Sequence, residues 1–367
     1  MSFLLIINSL ECGGAERVLA SLANEFSSHR DQKITIVSLD SEESFFPVSP
    51  DVQIVSVTGS RFLKGPLKLL AIPYQSFFVS RIIKKTKPDF VLSFLHRANI
   101  VNFLDAHFLS RGRAVFVSER SVLSKSYSGF KMLLFKKLLK WAYGHADKII
   151  AISRVVKEEL LALGVNDDKI VIIPNPVNVT THKVYSQNFH VGLPLKIITT
   201  GRLVPSKRFE QILFAIAAIN KSFMCTLDIA GNGPMHDYLS DLAATLQIQD
   251  KVNFLGYVSN VTEILHHYDL FVSASEYESF GNSCLEASAA GLPVVVPSGT
   301  GGIEDIYHFS GQGAVFYPGG DVSALVNAIV DMYENNRFHV YGVQGHEHSR
   351  KFDIKQIADN YMQAVSE

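Results

Sequence analysis

Short apolar runs alternate along this chain with longer segments whose apolar residues recur at three- and four-residue spacing. The short runs, bounded by turn residues, read as buried strands, and the longer segments as amphipathic helices. The alternation predicts an α/β fold built on parallel sheets. In the first half, strands are expected at Phe3–Ile7, Ile34–Leu39, Phe90–Phe94, Ala114–Ser118 and Lys148–Ile152. Each precedes a polar or glycine-containing turn and usually a helix. The pattern restarts in the second half, with strands expected at Leu195–Thr200, Cys225–Ala230, Val252–Leu255, Leu270–Ser273 and Pro293–Val296.

The restart follows Ile172-Ile173-Pro174-Asn175-Pro176-Val177. Two prolines fix φ and deny helix to the residues before them, and the polar stretch Asn178–Pro194 reads as an interdomain linker. The expected organisation is an N-terminal domain over 1–177, a C-terminal domain over 178–350 and a C-terminal helix over 351–367. Periodicity marks that helix without choosing whether it completes the second lobe or crosses back to the first. Two doubly wound lobes would place the carboxyl ends of their strands around a central cleft.

Composition narrows the class. A chain of 367 residues suggests two domains, and 47% hydrophobic with 19% charged residues is ordinary globular usage. The overall charge of −1 hides an asymmetry: residues 1–175 carry 23 Lys and Arg against 16 Asp and Glu, and the remainder 11 against 19. A basic first half suggests an acidic partner there. Cys12, Cys225 and Cys284 offer neither a disulfide framework nor zinc spacing, which fits a reducing compartment. The start MSFLLIINSL lacks a basic signal-peptide region, and no apolar stretch is long enough to span a bilayer.

Six segments sit at expected strand ends. Gly13-Gly14-Ala15-Glu16-Arg17 opens a helix, where glycine lets backbone N–H groups approach an anion. It is not the dinucleotide fingerprint. Gly201 to Arg208 presents Arg202 as a planar fork and Lys207 as a point charge for phosphate. Gly231-Asn232-Gly233 would allow close backbone approach to a flat ligand. Glu276 to Ala287 holds two carboxylates, Glu278 on a loop and Glu286 in the helix that follows, with seven residues between them. Gly281–Cys284 would form that helix's N-terminus. In Ser93 to Asn99, His96 is placed to bond a hydroxyl or move a proton. Ser118-Glu119-Arg120 suggests an internal ion pair. No two Asp residues stand two apart, so no DxD pair is available to bridge a divalent cation to a diphosphate.

In this order the motifs resemble the retaining glycosyltransferases of family 4, of GT-B architecture. Glu278 to Glu286, ESFGNSCLE, looks like that family's E-x7-E signature, and GRLVPSK at 201–207 accompanies it. GGAERV at 13–18, ADKIIAIS at 146–153, IPNPV at 173–177 and GLPVV at 291–295 are similar to family segments. Asn178 departs from the acid that many relatives carry after NPV.

The resemblance implies the following roles. Gly14 would meet the donor phosphate through its backbone. Arg202 and Lys207 would clamp the diphosphate. Glu278 would hold the hydroxyls of the donor sugar, and Glu286 those of the ribose. The backbone at Phe280, Gly281 and Asn282 would line the sugar and phosphate, and Gly231 and Asn232 would edge the nucleotide pocket. His96, with Asn99, resembles a segment found near the transferred sugar. No metal and no cofactor is expected, the nucleotide-sugar being a substrate. The implied enzyme is a retaining, metal-independent hexosyltransferase that uses a UDP-sugar. Its acceptor would be a glycan or polyprenyl-linked glycan, at the cytoplasmic face, in surface-polysaccharide assembly. The alternatives are a GT-B nucleotide-sugar epimerase, a dinucleotide-dependent oxidoreductase or a non-catalytic sugar-nucleotide or membrane-binding protein.

Two segments extend the partner list to an anionic membrane surface. Residues 61–88 hold Arg61, Lys64, Lys68, Arg81, Lys84, Lys85 and Lys87 with no acid, and 130–141 interleaves Lys136, Lys137 and Lys140 with apolar residues and the only Trp. Such amphipathic segments can lie in a membrane interface. Nucleic acid is not an expected partner, because aliphatics rather than aromatics separate the lysines.

Overall fold

The computed structural model describes residues 1–29, 32–40, 43–57, 70–110, 112–122, 124, 130–179, 192–307 and 313–366, and for 130–135 the backbone alone. Arg61, Lys64 and Lys68 therefore lie outside the described residues. The chain divides into two compact units, Met1–Pro176 with Ile354–Glu367, and Val177–Asp353.

The first unit holds a seven-stranded sheet. Its strands are β1 (Ser2–Ile7), β2 (Lys33–Ser38), β3 (Val52–Ser56), β4 (Phe90–Phe94), β5 (Phe116–Glu119), β6 (Lys148–Ala151) and β7 (Ile170–Ile172). All pair in parallel, in the order β3-β2-β1-β4-β5-β6-β7. Parallel strands need helical crossovers, and these bury the sheet on both faces, which is why β1 reads as an unbroken apolar run over Phe3–Ile7 and β2 is buried from Ile34 to Ser38. The helix Gly14–Ser28 lays Leu19, Leu22, Ala23 and Phe26 on the sheet, with Phe26 stacked on Phe3 at 5.1 Å. The C-terminal helix Ile354–Ser366 adds Ile357, Ala358, Tyr361 and Val365 to the same core. Each large side chain buried this way stabilises the unit by about 1.5–3 kcal/mol.

The second unit holds β8 (Leu195–Thr200), β9 (Cys225–Ala230), β10 (Val252–Gly256), β11 (Leu270–Val272), β12 (Val294–Ser298) and β13 (Ala314–Pro318). They run parallel in the order β10-β9-β8-β11-β12-β13. Helices Phe209–Ile219 and Val322–Glu334 cover one face through Leu213, Ile216, Leu325 and Ile329.

Three strands go beyond the sequence expectation: β3, β7 and β13. Each lies at a sheet edge and mixes buried with partly exposed positions: Gln53 interrupts β3, β7 is only three residues long, and β13 ends in Pro318. The strand expected from Ala114 begins instead at Phe116. The Val115 N–H is taken by the Asp147 carboxylate at 2.7 Å and is lost to the ladder. β12 continues to Ser298 through Pro297, past the expected end at Val296.

Candidate active site

In each unit the strand order reverses once, between β1 and β4 in the first and between β8 and β11 in the second. Ligands of doubly wound sheets bind at the carboxyl ends of the strands beside such a reversal. The loops that leave β8 and β11 carry most of the expected site residues.

After β8 come Gly201, Arg202 and a single 3₁₀ turn, Pro205–Lys207. After β11 come Glu276, Tyr277 and Glu278, then the helix Asn282–Ala289. Backbone bonding joins the two loops, the Glu276 N–H donating to Ser206 O at 2.8 Å. The Lys207 ammonium donates to Glu278 Oε1, and Ser275 Oγ donates to the same oxygen at 2.8 Å. The pair is partly open to solvent, with side-chain exposures of 23% for Lys207 and 15% for Glu278. A third loop fixes Glu278 through its backbone. Its N–H donates to Thr300 O at 2.9 Å, and the Gly302 N–H donates to its carbonyl at 2.8 Å. Arg202 is exposed and makes no ion pair among the described residues.

Gly281 sits at φ +107°, and a Cβ there would also lie 2.7 Å from Ile303 Cγ1. Only glycine makes this turn without strain, and the turn starts the helix at Asn282. Glu286 lies one turn further, on the same helical face as Asn282 by the i, i+4 rule, and is only 7% exposed. Phe280 is a core side chain set edge-on to Phe352 at 6.1 Å, so its backbone is what remains for a ligand.

The β9 loop is zipped to the β8 loop. The Leu203 N–H donates to Asn232 O at 2.9 Å and the Met235 N–H to Leu203 O at 3.1 Å. A Cβ on Gly231 would lie 1.8 Å from Gly201 O. The close approach that requires glycine at 231 is that of a neighbouring loop and not that of a flat ligand. The Asn232 side chain is exposed beside it. Ser275 and Arg208 join the site without having been expected there. Arg208 pairs with Glu276 at 3.1 Å. The basic run ending GRLVPSKR could have flagged Arg208; nothing in the sequence marks Ser275.

In the first unit, Gly13 caps the helix that Gly14 opens. A Cβ on Gly13 would lie 2.1 Å from Glu16 Oε2. The Glu16 carboxylate thus folds back over its own first turn, and an anion arriving at Gly14 meets it. Burial pushes the Glu16 carboxyl up from its ordinary value, against the pull of its own backbone N–H and of Arg120.

His96 opens the helix His96–Leu104, straight after β4. The turn is made by Leu95 at φ +73°, a conformation a leucine holds at a cost of about 1–3 kcal/mol. His96 is 6% exposed, and its Nε2 lies 3.0 Å from Glu119 Oε1. Asn99 is fully buried, its Nδ2 donating to Ser118 O at 3.2 Å and to Tyr143 Oη at 3.0 Å. Asn99 therefore belongs to the packing behind His96. The ion pair expected within Ser118-Glu119-Arg120 does not form. Successive strand residues point to opposite faces, so Glu119 turns to His96. Arg120 instead donates to Ser118 Oγ and Tyr361 Oη, both at 3.2 Å, and to Asn175 Oδ1.

Two family models cover almost the whole of this chain. Residues 12–181 match Glycosyltransferase Family 4, and residues 186–349 match Glycosyl transferases group 1. The chain belongs to the family 4 glycosyltransferases. An N-acetylgalactosamine-N,N'-diacetylbacillosaminyl-diphospho-undecaprenol 4-alpha-N-acetylgalactosaminyltransferase of Campylobacter jejuni is 26% identical over 310 residues, covering 83% of this chain and 82% of its own. An uncharacterized glycosyltransferase of Methanocaldococcus jannaschii is 34% identical over 184 residues, 47% of either chain. The Anabaena protein HepE, solved with UDP and glucose, superposes with a TM-score of 0.77 at 20% identity over 100% of this chain and 99% of that one. The fold is GT-B, with two Rossmann-like units.

In this glycosyltransferase the second unit places a cation, Lys207, and an acid, Glu278, side by side at the strand-order reversal. The E-x7-E segment also encloses Cys284. Burial, followed by the negative charge of Glu278, pushes its thiol up to about 12, so it stays a protonated packing group. Among the described residues no cluster of His, Cys, Asp and Glu is arranged as a metal site. None of the described helices is long and apolar enough to cross a membrane.

Proposed function

We propose that this glycosyltransferase moves a sugar, with retention of configuration and without a metal ion, from a UDP-sugar to a glycan or polyprenyl-linked glycan at the cytoplasmic membrane face. The observation that carries this reading is the Lys207–Glu278 contact beside the β8–β11 reversal, with Glu286 on the following helix. A diphosphate needs fixed positive charge and a sugar needs hydroxyl acceptors, and this unit offers both from adjacent loops. The UDP-bound HepE structure supports the choice of nucleotide, and the undecaprenol-linked substrate in the Campylobacter enzyme's name supports the acceptor.

On this reading Arg202 and Lys207 stabilise the diphosphate as the anomeric C–O bond breaks. The acceptor oxygen bonds to the same face of the sugar, and its proton passes to the departing phosphate oxygen. Glu278, neutralised by Lys207 and bonded by Ser275, orients the sugar and is not a nucleophile. In the first unit His96 is the candidate for hydroxyl bonding or proton movement in the transfer. The testing experiment is transfer from UDP-glucose, UDP-galactose and their N-acetylated analogues to undecaprenyl-diphosphate-linked sugar in EDTA, with the product anomer read by NMR. An α-linked product from an α-linked donor is expected. Inversion, or transfer only after Mn²⁺ is added, would contradict it.

The first unit also supports the membrane role. On helix Ile72–Thr86 the residues Tyr74, Phe77, Arg81, Lys84 and Lys85 are all exposed and share a face at three- and four-residue spacing. That face is more aromatic than the buried one, which carries Gln75, Ser76 and Ser80. Trp141 and Phe108, both exposed, lie 6.2 Å apart near Lys137 and Lys140. Each cation near an anionic leaflet adds about 1 kcal/mol. Co-sedimentation with phosphatidylglycerol liposomes is therefore expected to weaken by about fivefold for each of Arg81, Lys84 and Lys85 changed to glutamine. Equal binding to neutral and anionic liposomes would remove the membrane from the account.

A further inference from the structure

We propose that Glu119 is a positioning residue that acts through His96, fixing the ring's orientation and keeping a proton on Nε2. The inference rests on the reading that His96 serves the transfer reaction. Glu119 ends β5 and is fully buried, while His96 lies two residues beyond the neighbouring β4. The carboxylate accepts from His96 Nε2 at 3.0 Å, from the Arg120 and Ser121 N–H groups at 2.9 and 3.1 Å, from Ser121 Oγ at 3.2 Å and from Tyr143 Oη at 2.5 Å.

This set of donors decides the protonation pattern. The Glu119 carboxylate oxygen, 3.0 Å from His96 Nε2, can only accept, so Nε2 must carry hydrogen. Ser121 Oγ, 3.2 Å from both groups, then accepts from the ring and gives its one proton to Glu119. In the neutral ring the lone pair falls on Nδ1. Burial alone would raise the Glu119 carboxyl; the charge and bond of His96, followed by Tyr143 and the Ser121 N–H, hold it below its ordinary value. The acid therefore remains a carboxylate that can orient the ring. The strained turn at Leu95 delivers His96 to this position, and strain of that kind persists where the surroundings over-determine it.

Two readouts on the full chain test the proposal. The first needs no substrate: the two-bond ¹H–¹⁵N spectrum of ¹⁵N-histidine-labelled protein, with His96 assigned by loss of its signals in His96→Ala. Protonated Nε2 is expected, and a bare Nε2 in the wild type overturns the proposal. The second is a double-mutant cycle on UDP release from the sugar donor that supports turnover. Glu119→Gln is expected to lower kcat by about 10- to 100-fold with donor KM held within about twofold, and to cost nothing further in the His96→Ala background. Additive losses overturn the proposal, because they mean that Glu119 acts on the fold rather than through the ring. Tyr143→Phe, which removes one donor and leaves the carboxylate, is expected to lower kcat in the same direction. A fully active His96→Ala would refute the catalytic reading of His96, while the spectrum would still decide the pairing.

Discussion

Replacing Lys207 with alanine is expected to lower turnover by about 10²–10³-fold, the usual effect of removing one donor aimed at charge that develops in the transition state. The expectation has two sources. The ammonium faces a diphosphate that gains charge as the sugar departs, and it also sits on Glu278 in the free enzyme. Its loss leaves Glu278 with Ser275 as its side-chain donor among the described residues. A cycle with Glu278→Gln separates the two effects. If Lys207 serves only to hold Glu278, the double variant is no slower than Glu278→Gln. If Lys207 acts on the diphosphate, the double variant is slower by most of the Lys207→Ala loss. Wild-type turnover in Lys207→Ala would remove the proposed mechanism.

Replacing Glu286 with alanine is expected to weaken UDP binding by about 10- to 100-fold, or about 1.4–2.8 kcal/mol, through the loss of two charge-assisted bonds to ribose. Glu286 is placed by the helix that Gly281 starts and is buried on it, so the substitution leaves the Lys207–Glu278 pair in place. Inorganic diphosphate, which has no ribose, should bind both proteins equally. An equal loss of UDP and diphosphate would show that the helix has moved rather than that a ribose contact is missing.

Central strands and the motifs that follow them are legible in the sequence because one local cause sets both. A strand buried on two faces is a continuous apolar run, and the turn that ends it needs glycine or polar residues. Edge strands give a weaker signal: Gln53 interrupts β3, β7 is three residues long and β13 ends in proline. The placement of Glu278 on a loop and Glu286 in the following helix is a local property, readable from Gly281 and the spacing. Pairings between strands are not local. Glu119 stands next to Arg120 in sequence, yet the pleat sends it to His96 at the start of the helix that follows the neighbouring strand, while Arg120 reaches Tyr361 on the C-terminal helix. The glycine at 231 was legible as a close approach, but the partner, Gly201 O, comes from another loop. Ser275 carries no signal, because a serine near a strand end is common and only the fold brings it to Glu278. Periodicity marks the C-terminal helix, and the side chains it must cover lie in a sheet formed by the start of the chain.

On the proposed function, the second unit binds a nucleotide diphosphate through its own cations and helix, without a metal ion. Calorimetric titration of the wild-type protein with UDP, GDP and ADP in EDTA tests it directly. The account predicts saturable UDP binding that is unchanged when Mg²⁺ or Mn²⁺ replaces the chelator, and weaker binding of the other two nucleotides. UDP binding that appears only with the divalent cation, or no binding under either condition, would contradict it.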